Sequence, residues 1–381
     1  MRDFNCESPL LIDGDIERKK MEVLPFKSRV LEIAGRRLET TQVFDAYWRF
    51  AAERQKIFLR KIYGTKGENV HMTSDPILTE YKFTNAYRAS DRVSQYLIRH
   101  VIYREDFAAD AENIFFRVLL FKLFNKIETW KALESEFGKV TLNRYSFHEF
   151  DEFLSTRQDT GKRNYSAAYI MPSAKDVSGH QRKHSNHLKL LEWMLEKQFP
   201  NKLKQSASMA DGFKLFADAP SLGPFLAYQF ITDVNYSPIT EYSEREFVVA
   251  GPGALDGISK CFTNSKGVSA ADIIRHMMEY QQKYFDNLNI DFHDLWGREL
   301  QLIDCQNLFC EISKYARIAF PDIGGISGRT RIKQKYRSSG QLDTPWYPPK
   351  WGINEKIDEA DAQPFFFGTS DDAKAVQHTL L

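Results

Sequence analysis

The chain has 381 residues, of which 43% are hydrophobic and 27% charged, and its formal net charge is +1. The composition is that of a globular protein, and the near-zero charge excludes a global attraction to polyanions, so that a nucleic-acid surface has to be a local basic patch. No run reaches the roughly 18 apolar residues of a membrane span, and MRDFNCESP does not start like a signal peptide, so we expect a soluble, cytoplasmic protein.

Helical periodicity dominates the chain and predicts a mainly α fold. The predicted helices are 44–64, 90–104, 112–130, 185–198, 222–235, 269–285 and 297–317. The pattern Ser269-x-x-Asp272 predicts a capping box at the start of one of them. The expected regions are an N-terminal extension (1–40), a helical domain of two subdomains (41–320) and an irregular basic C-terminal tail packed on that domain (321–381).

The segment FTNAYRASDRVSQYL, which begins at residue 83, places Arg88 and Arg92 on one predicted helical face, with Asn85 and Tyr87 nearby. An exposed, ion-paired face and a contact surface for phosphates or bases are both compatible with this pattern.

The predicted helix 112–130 is apolar almost all round, which is typical of a buried helix. Its polar positions and their neighbours are Arg117, Phe124, Asn125, Glu128 and Thr129. Because buried charge is costly unless it is paired, Arg117 and Glu128 are expected either to pair structurally or to line a cleft.

Histidines and cysteines give little sign of a metal centre. His180, His184 and His187 have a spacing that could bind zinc, but no neighbouring carboxylate or cysteine completes the set. Four cysteines without a CxxC pair favour a reduced, intracellular setting. We expect no metal and no cofactor.

The stretch VVAGPGALDGISKCF (248–262) resembles a phosphate-binding loop. Its glycines, Gly251, Gly253 and Gly257, do not have the G-x-G-x-x-G spacing of a dinucleotide fold, and no βαβ alternation follows. The interpretation that remains is a hairpin near 247–258 whose N–H groups, including that of Ala254, hold a DNA phosphate; a plain turn between helices is the alternative.

The predicted helix 297–317 carries a polar stripe of Asp304, Asn307, Glu311, Lys314 and Tyr315. A pocket lining and a solvated face with a Glu311–Lys314 ion pair are both consistent with it.

The basic run RTRIKQKYR begins at Arg329 and includes Arg331 and Lys333. It could contact a DNA backbone, or it could be an ordinary solvated charge run.

Six stretches, taken in order over about residues 80–350, resemble the motifs of the α-glutamyl/putrescinyl-thymine pyrophosphorylase family. They are FTNAYRASDR, FRVLLFKLFNKIETW, YSAAYIMPS, FLAYQFITDVNY, FVVAGPGALDGI and DCQNLFCEISKYAR. That family shares its helical domain with the 5-hydroxymethyluracil DNA kinases and is related to helix–hairpin–helix DNA glycosylases. The resemblance implies action on modified pyrimidines in DNA, by transfer to the base or by its excision. It does not imply kinase activity, since the kinases carry an additional P-loop domain and no such pattern occurs here.

The resemblance also implies site residues. Asp304 matches the acidic residue of the last motif, and Gly251 and Gly253 match the hairpin. The polar positions of the first two motifs correspond to Asn85, Arg88, Asp91, Arg117, Asn125 and Thr129. Where the family usually has a Glu-His pair, this chain has Gln306 and Asn307.

The leading hypothesis is a monomeric DNA glycosylase that flips a hypermodified pyrimidine, such as a glucosylated hydroxymethyl pyrimidine, out of double-stranded DNA and hydrolyses its N-glycosidic bond. Asp304 would stabilise the developing sugar cation and orient water. The further expected roles are base reading by Asn125 and Asn307, stacking by Tyr87, Phe124 or Tyr315, and a Schiff base at Lys314 if the strand is cut. Such excision of phage bases would suit antiviral defence. A transferase that adds an amino acid or polyamine to an activated hydroxymethyl pyrimidine is the first alternative, and a non-catalytic DNA-binding module is the second.

Overall fold

The structure is a computed structural model that describes residues 26–63, 72–167, 171–337 and 342–361. The described chain is mainly α-helical, which confirms the predicted fold class. Cys6, most of the predicted N-terminal extension, part of the YSAAYIMPS motif and the end of the predicted C-terminal tail lie outside the described residues.

The elements follow in chain order. The strands are β1 (Val30–Ile33) and β2 (Arg36–Glu39). The α-helices are α1 (Gln42–Tyr63), α2 (Pro76–Glu80), α3 (Arg92–Tyr96), α4 (Ala111–Phe124), α5 (Ile127–Phe137), α6 (Phe147–Asp159), α7 (Lys175–Ser178), α8 (Lys183–Glu196), α9 (Phe199–Gln205), α10 (Met209–Ala217), α11 (Pro224–Val234), α12 (Pro252–Cys261), α13 (Ala270–Glu279), α14 (Gln281–Asn287), α15 (Leu302–Ala319) and α16 (Asn354–Asp361). Short 3-10 turns cover Arg88–Ser90, Leu142–Arg144 and Pro349–Trp351, and a π-helical turn covers Leu97–Ile102.

A β-hairpin precedes the helices. β1 and β2 pair antiparallel around Ala34 and Gly35, whose φ angles of 48° and 71° match the positive values of a two-residue hairpin turn. Thr40 forms an isolated bridge with Phe262, so the hairpin is held against the end of α12.

The predicted helix 112–130 is wrong as a single element. α4 ends before Asn125, which has a left-handed φ of 48°, and α5 follows. Asparagine is one of the few residues besides glycine that adopt this conformation at a helix end. Arg117 and Glu128 therefore lie on different helices.

The predicted helix 90–104 is also divided, since a π-helical turn over 97–102 follows α3. Arg117 of α4 donates to the carbonyl oxygens of Val101 and Ala108, both at 2.9 Å. The buried guanidinium thus satisfies carbonyl groups near the end of this turn, which is a structural role rather than the lining of a cleft.

The predicted C-terminal tail is not wholly irregular, because it contains α16. Its residues also bind the helical domain. Tyr81 forms a bridge with Lys335, the Ser90 hydroxyl meets that of Tyr347, and the Lys350 ammonium donates to the Ser237 carbonyl at 3.0 Å. The described part of the tail is thereby fixed to the domain.

Close packing of α12 on α15 is the tightest helix contact near the glycine motif. A Cβ atom on Gly257 would overlap the backbone carbonyl of Phe309, and one on Gly253 would lie 3.1 Å from the Cys310 sulfur. Gly257 therefore allows the two backbones to approach. Of the capping box predicted at Ser269, the N-cap half is confirmed at the start of α13, where the Asp272 N–H donates to the Ser269 hydroxyl at 3.0 Å.

Gly257→Ala is expected to destabilise the chain, although alanine is the better helix former by about 1 kcal/mol. The methyl group meets backbone that cannot rotate away, and overpacking of this kind costs about 1–3 kcal/mol or more. Urea unfolding should show a clearly lower midpoint. Gly253→Ala, whose methyl group would come no closer than 3.1 Å to Cys310, should cost less. Equal losses for the two variants would contradict this explanation.

Candidate functional site

Residues 83–91 run along the polar face of α15. The Thr84 N–H donates to Glu311 Oε2 at 3.0 Å, and the Arg88 N–H donates to Asp304 Oδ1 at 2.8 Å. Since the two acceptors are about two helical turns apart, these contacts fix the segment antiparallel to the helix. The first and last family-like motifs therefore meet in space.

Asp304 lies in the first turn of α15 and is 4% exposed. Its Oδ2 accepts the Gln301 N–H at 3.0 Å in a capping box, and its Oδ1 accepts the Arg88 N–H. Burial raises the pKa of Asp304 to about 6, against the lowering effect of the two N–H donors. At neutral pH the group is mostly a carboxylate, and each oxygen retains a further acceptor site.

The Arg88 side chain enters a buried charge cluster that consists of Arg88, Lys122, Gln229, Asp233 and Tyr236. Its guanidinium lies 2.6 Å from Asp233 Oδ1 and also donates to the Tyr236 hydroxyl and Gln229. The Lys122 ammonium lies 2.5 Å from Asp233 Oδ2. With Arg88 only 6% exposed, the structure corrects the prediction that this side chain contacts a DNA phosphate.

Burial and ion pairing have opposite effects on the pKa values of the charged groups in this cluster. Burial alone would raise the pKa of Asp233, but Arg88 and Lys122 outweigh it and hold the pKa below its usual value. Burial lowers the pKa of Lys122 to about 8, although Asp233 opposes the shift. Asp233 is thus ionised and serves two cations.

The sequence prediction missed Lys122 and Asp233. Each is a lone charge among apolar residues, in LLFKLF and FITDV, and that isolation was the available signal. Their pairing joins helices that are far apart in sequence, which local periodicity does not reveal.

A second polar group surrounds Asn85 at the start of the same segment. The Asn85 N–H donates to Asp91 Oδ1 at 2.9 Å, its Oδ1 accepts from Arg54 at 3.0 Å, and its amide donates to the Ser90 carbonyl. Burial raises the pKa of the Asp91 carboxyl to about 7. Asn85 is therefore fully occupied in holding the turn.

Asn307 lies between Asp304 and Glu311 on the face that the segment crosses. It is half-buried, and among the described residues its side-chain amide has no hydrogen-bond partner. Its neighbour Gln306 donates to the Cys310 sulfur at 3.2 Å and leaves its own Oε1 buried without a partner. The polar stripe thus keeps unused hydrogen-bonding capacity at Asn307.

The other stripe residues have structural partners. The Tyr315 hydroxyl donates to Asp75 at 2.7 Å and the Tyr87 hydroxyl to the Arg298 carbonyl at 2.8 Å, with both rings buried. Neither ring is available in this structure for the predicted stacking on a base. The predicted ion pair of Lys314 with Glu311 is confirmed at 2.6 Å.

Lys122 is the residue through which the second motif reaches this site, whereas the site residues predicted in that motif do not join it through any described contact. Thr129 donates to the Asn164 carbonyl at 2.8 Å, the buried Phe124 ring packs on Tyr165, Glu128 is exposed, and Asn125 caps α4. The structure corrects the expectation that they line one base pocket with Asp304.

The glycine motif starts α12, with Gly251 as its N-cap. The preceding helix, α11, ends at Val234. The segment between α11 and α12 is therefore too long for the predicted short hairpin between two helices. Ala254 is fully buried in the first turn of α12. Its predicted phosphate contact is therefore corrected, while Gly253 remains half-buried at the helix start.

Four residues predicted to contact the DNA backbone are exposed, namely Arg92, Arg329, Arg331 and Lys333. The basic run lies against the C-terminal end of α15, because Arg317 in the last turn of that helix donates to the Arg331 carbonyl at 3.0 Å.

The histidines are used within the fold. His184 Nε2 lies 3.0 Å from the Ser155 hydroxyl, and His187 bonds Tyr165 and the Pro172 carbonyl. In the described ranges no group of three or more His, Cys, Asp or Glu side chains could hold a metal ion.

Similarity to known proteins covers most of the chain. The family described as 5-hmdU DNA kinase, helical domain, matches residues 41–325. A curated relative, the 5-hmdU DNA kinase of Bacillus phage SP10, is 24% identical over 293 residues, which are 73% of this chain and 45% of the relative. The chain thus spans less than half of that relative's length. No solved structure matches. Among the described helices, none is long and apolar enough to cross a membrane.

Proposed function

Because the chain belongs to the family of the 5-hmdU DNA kinase helical domain, we propose that it is an enzyme acting on a modified pyrimidine in DNA, which it excises as a glycosylase. The proposal takes its substrate class from the relative, whose name specifies 5-hmdU DNA. The observation that carries it is the contact of residues 83–91 with Asp304, which joins two family-like motifs at one buried carboxylate.

The proposed reaction begins with a nucleotide flipped towards Asn307, because the reacting bond is inaccessible within stacked duplex DNA. Asn307, whose amide is free among the described contacts, hydrogen-bonds the base edge. As the C1′–N bond breaks, its electron pair leaves with the base and positive charge develops on the sugar. The Asp304 carboxylate stabilises that charge and accepts a proton from the water that adds to C1′. A pKa of about 6 suits this role at neutral pH.

Two other functions are supported by particular observations. A transferase that modifies the hydroxymethyl group is favoured by the relative's being a kinase, which transfers a group to its substrate. A non-catalytic DNA-binding module is favoured by the two backbone N–H groups that already bind Asp304.

Product analysis separates the three functions. The protein is incubated with duplexes that contain 5-hmdU, an activated hydroxymethyl pyrimidine, a glucosylated hydroxymethyl pyrimidine or only ordinary bases. Each duplex is tested with and without a polyamine. Free base and abasic sites from modified duplexes alone support the glycosylase. An enlarged nucleoside in the mass spectrum supports the transferase. Gel retardation without either product supports the binding module.

Neutralising Arg329, Arg331 and Lys333 by Gln should weaken DNA binding for all sequences alike. Each cation that contacts a phosphate adds about 0.9 to the slope of log K against log salt, so losing three should flatten that slope by about 3. Binding measured over a salt series tests this. The matched control replaces three exposed lysines, namely Lys197 at the junction of α8 and α9 and Lys202 and Lys204 of α9. A slope that changes equally in both triple variants would remove the basic run from the interface.

A further inference from the structure

An aliphatic side chain stands out from the surface directly before the basic run. Ile326 is 70% exposed, more than Val30 at 53% or the other exposed large hydrophobic residues of the described chain. It lies at the tip of the glycine-rich stretch IGGISG, which begins at Ile323.

The chain on both sides of Ile326 is anchored to α12. The Ser327 N–H donates to Asp256 Oδ1 at 2.7 Å, and the Ile326 N–H donates to the Ser259 hydroxyl at 3.2 Å. A side chain on Gly325 would overlap Asp256, which is 1% exposed and also accepts from the Ser313 hydroxyl. These bonds fix the loop to α12 while the Ile326 side chain remains exposed.

The surroundings of this tip combine a little apolar surface with positive charge. Leu255, one turn before Ser259 on α12, is 40% exposed. Arg329, Arg331 and Lys333 follow Ile326 closely and are exposed. An isolated aliphatic tip beside cations fits a polyanion with an apolar interior better than it fits a large apolar protein surface.

We propose that Ile326 is a wedge that enters the base stack of duplex DNA while the neighbouring cations hold the phosphates. The inference rests on the proposed function, in which a nucleotide leaves the stack. Aliphatic side chains inserted between base steps unstack them, and the surrounding contacts offset the cost of unstacking. Ile326 would fill the gap that the flipped pyrimidine leaves.

The test uses binding rather than turnover. A duplex carries 5-hmdU beside 2-aminopurine, whose fluorescence rises when its neighbour unstacks. Ile326→Ala should reduce the rise to near background and weaken duplex binding about tenfold, which is 1.4 kcal/mol. It should leave binding unchanged when the 5-hmdU lies in a single-stranded bulge. Val30→Ala, which shortens another exposed aliphatic side chain, should behave as wild type.

The outcomes separate the wedge from the proposed function. A full fluorescence rise with Ile326→Ala overturns the wedge and leaves DNA action standing. Equal weakening on the duplex and the bulge also overturns it. No binding of any DNA by the wild-type chain overturns both proposals. Because Ile326 is exposed, its truncation should leave the unfolding temperature nearly unchanged, and thermal unfolding checks this.

Discussion

Replacement of Asp304 by Asn is expected to lower base release by about 10³-fold while DNA binding persists. The amide carries no charge to stabilise the sugar cation and cannot accept the proton from water. One of the two N–H groups that now bind Asp304, from Gln301 or Arg88, also loses its acceptor. We therefore expect a loss of about 1 kcal/mol in the free energy of unfolding as well.

The control for that structural loss is Asp75→Asn. Asp75 is also buried, caps α2 through the Ile77 and Leu78 N–H groups, and accepts from Tyr315. If Asp75→Asn loses a similar amount of stability but still releases the base, the loss of base release in Asp304→Asn is due to the missing carboxylate and not to lower stability. Undiminished release by Asp304→Asn would exclude the proposed mechanism.

The same carboxylate predicts a pH dependence. Burial raises the pKa of Asp304 to about 6, so release should fall about tenfold per pH unit below that value, as the carboxylate is protonated. The raised pKa means that protonation of this group favours the folded state, so the fall does not report unfolding. Asp91→Asn should show the same fall in base release below pH 6, although burial raises the pKa of Asp91 to about 7. Constant release between pH 5 and 8 would contradict the assignment.

Asp233→Asn should cause the largest loss of stability, about 3–5 kcal/mol, because it leaves Arg88 and Lys122 buried without their counter-charge. Lys122→Met should cost much less, since the Arg88–Asp233 pair remains neutral and methionine replaces much of the lysine hydrocarbon. Urea unfolding of both variants measures the difference.

This asymmetry is specific to an anion shared by two cations. If Lys122→Met destabilised the chain as strongly as Asp233→Asn, the cluster would depend on the ammonium itself rather than on charge balance.

The sequence predicted the helices well where periodicity was continuous. Helices 185–198 and 222–235 correspond closely to α8 and α11. The prediction failed where the backbone conformation changes inside a continuous apolar pattern. The residues around Asn125 have the pattern of one helix, and only the left-handed backbone of Asn125 separates α4 from α5. A pattern of apolar residues does not encode that angle.

Prediction of the site was limited by long-range pairing. The polar stripe on α15 and the ion pair of Glu311 with Lys314 were visible locally. The burial of Arg88 was not, because its partner Asp233 lies on α11 and an arginine next to polar residues is equally typical of a surface. Tyr315 was misplaced for the same reason, since its partner Asp75 is distant in sequence.

The attachment of Lys335, Tyr347 and Lys350 to the domain has a practical consequence for where the chain can be cut. The match to the family ends at residue 325, yet backbone pairing at Tyr81 and a side-chain bond at Ser90 depend on later residues. A fragment trimmed to the region of shared ancestry would lose the support of the very turn that presents Arg88 to Asp304. The end of the family match is therefore not the place to end an expressed fragment, which should extend at least to α16.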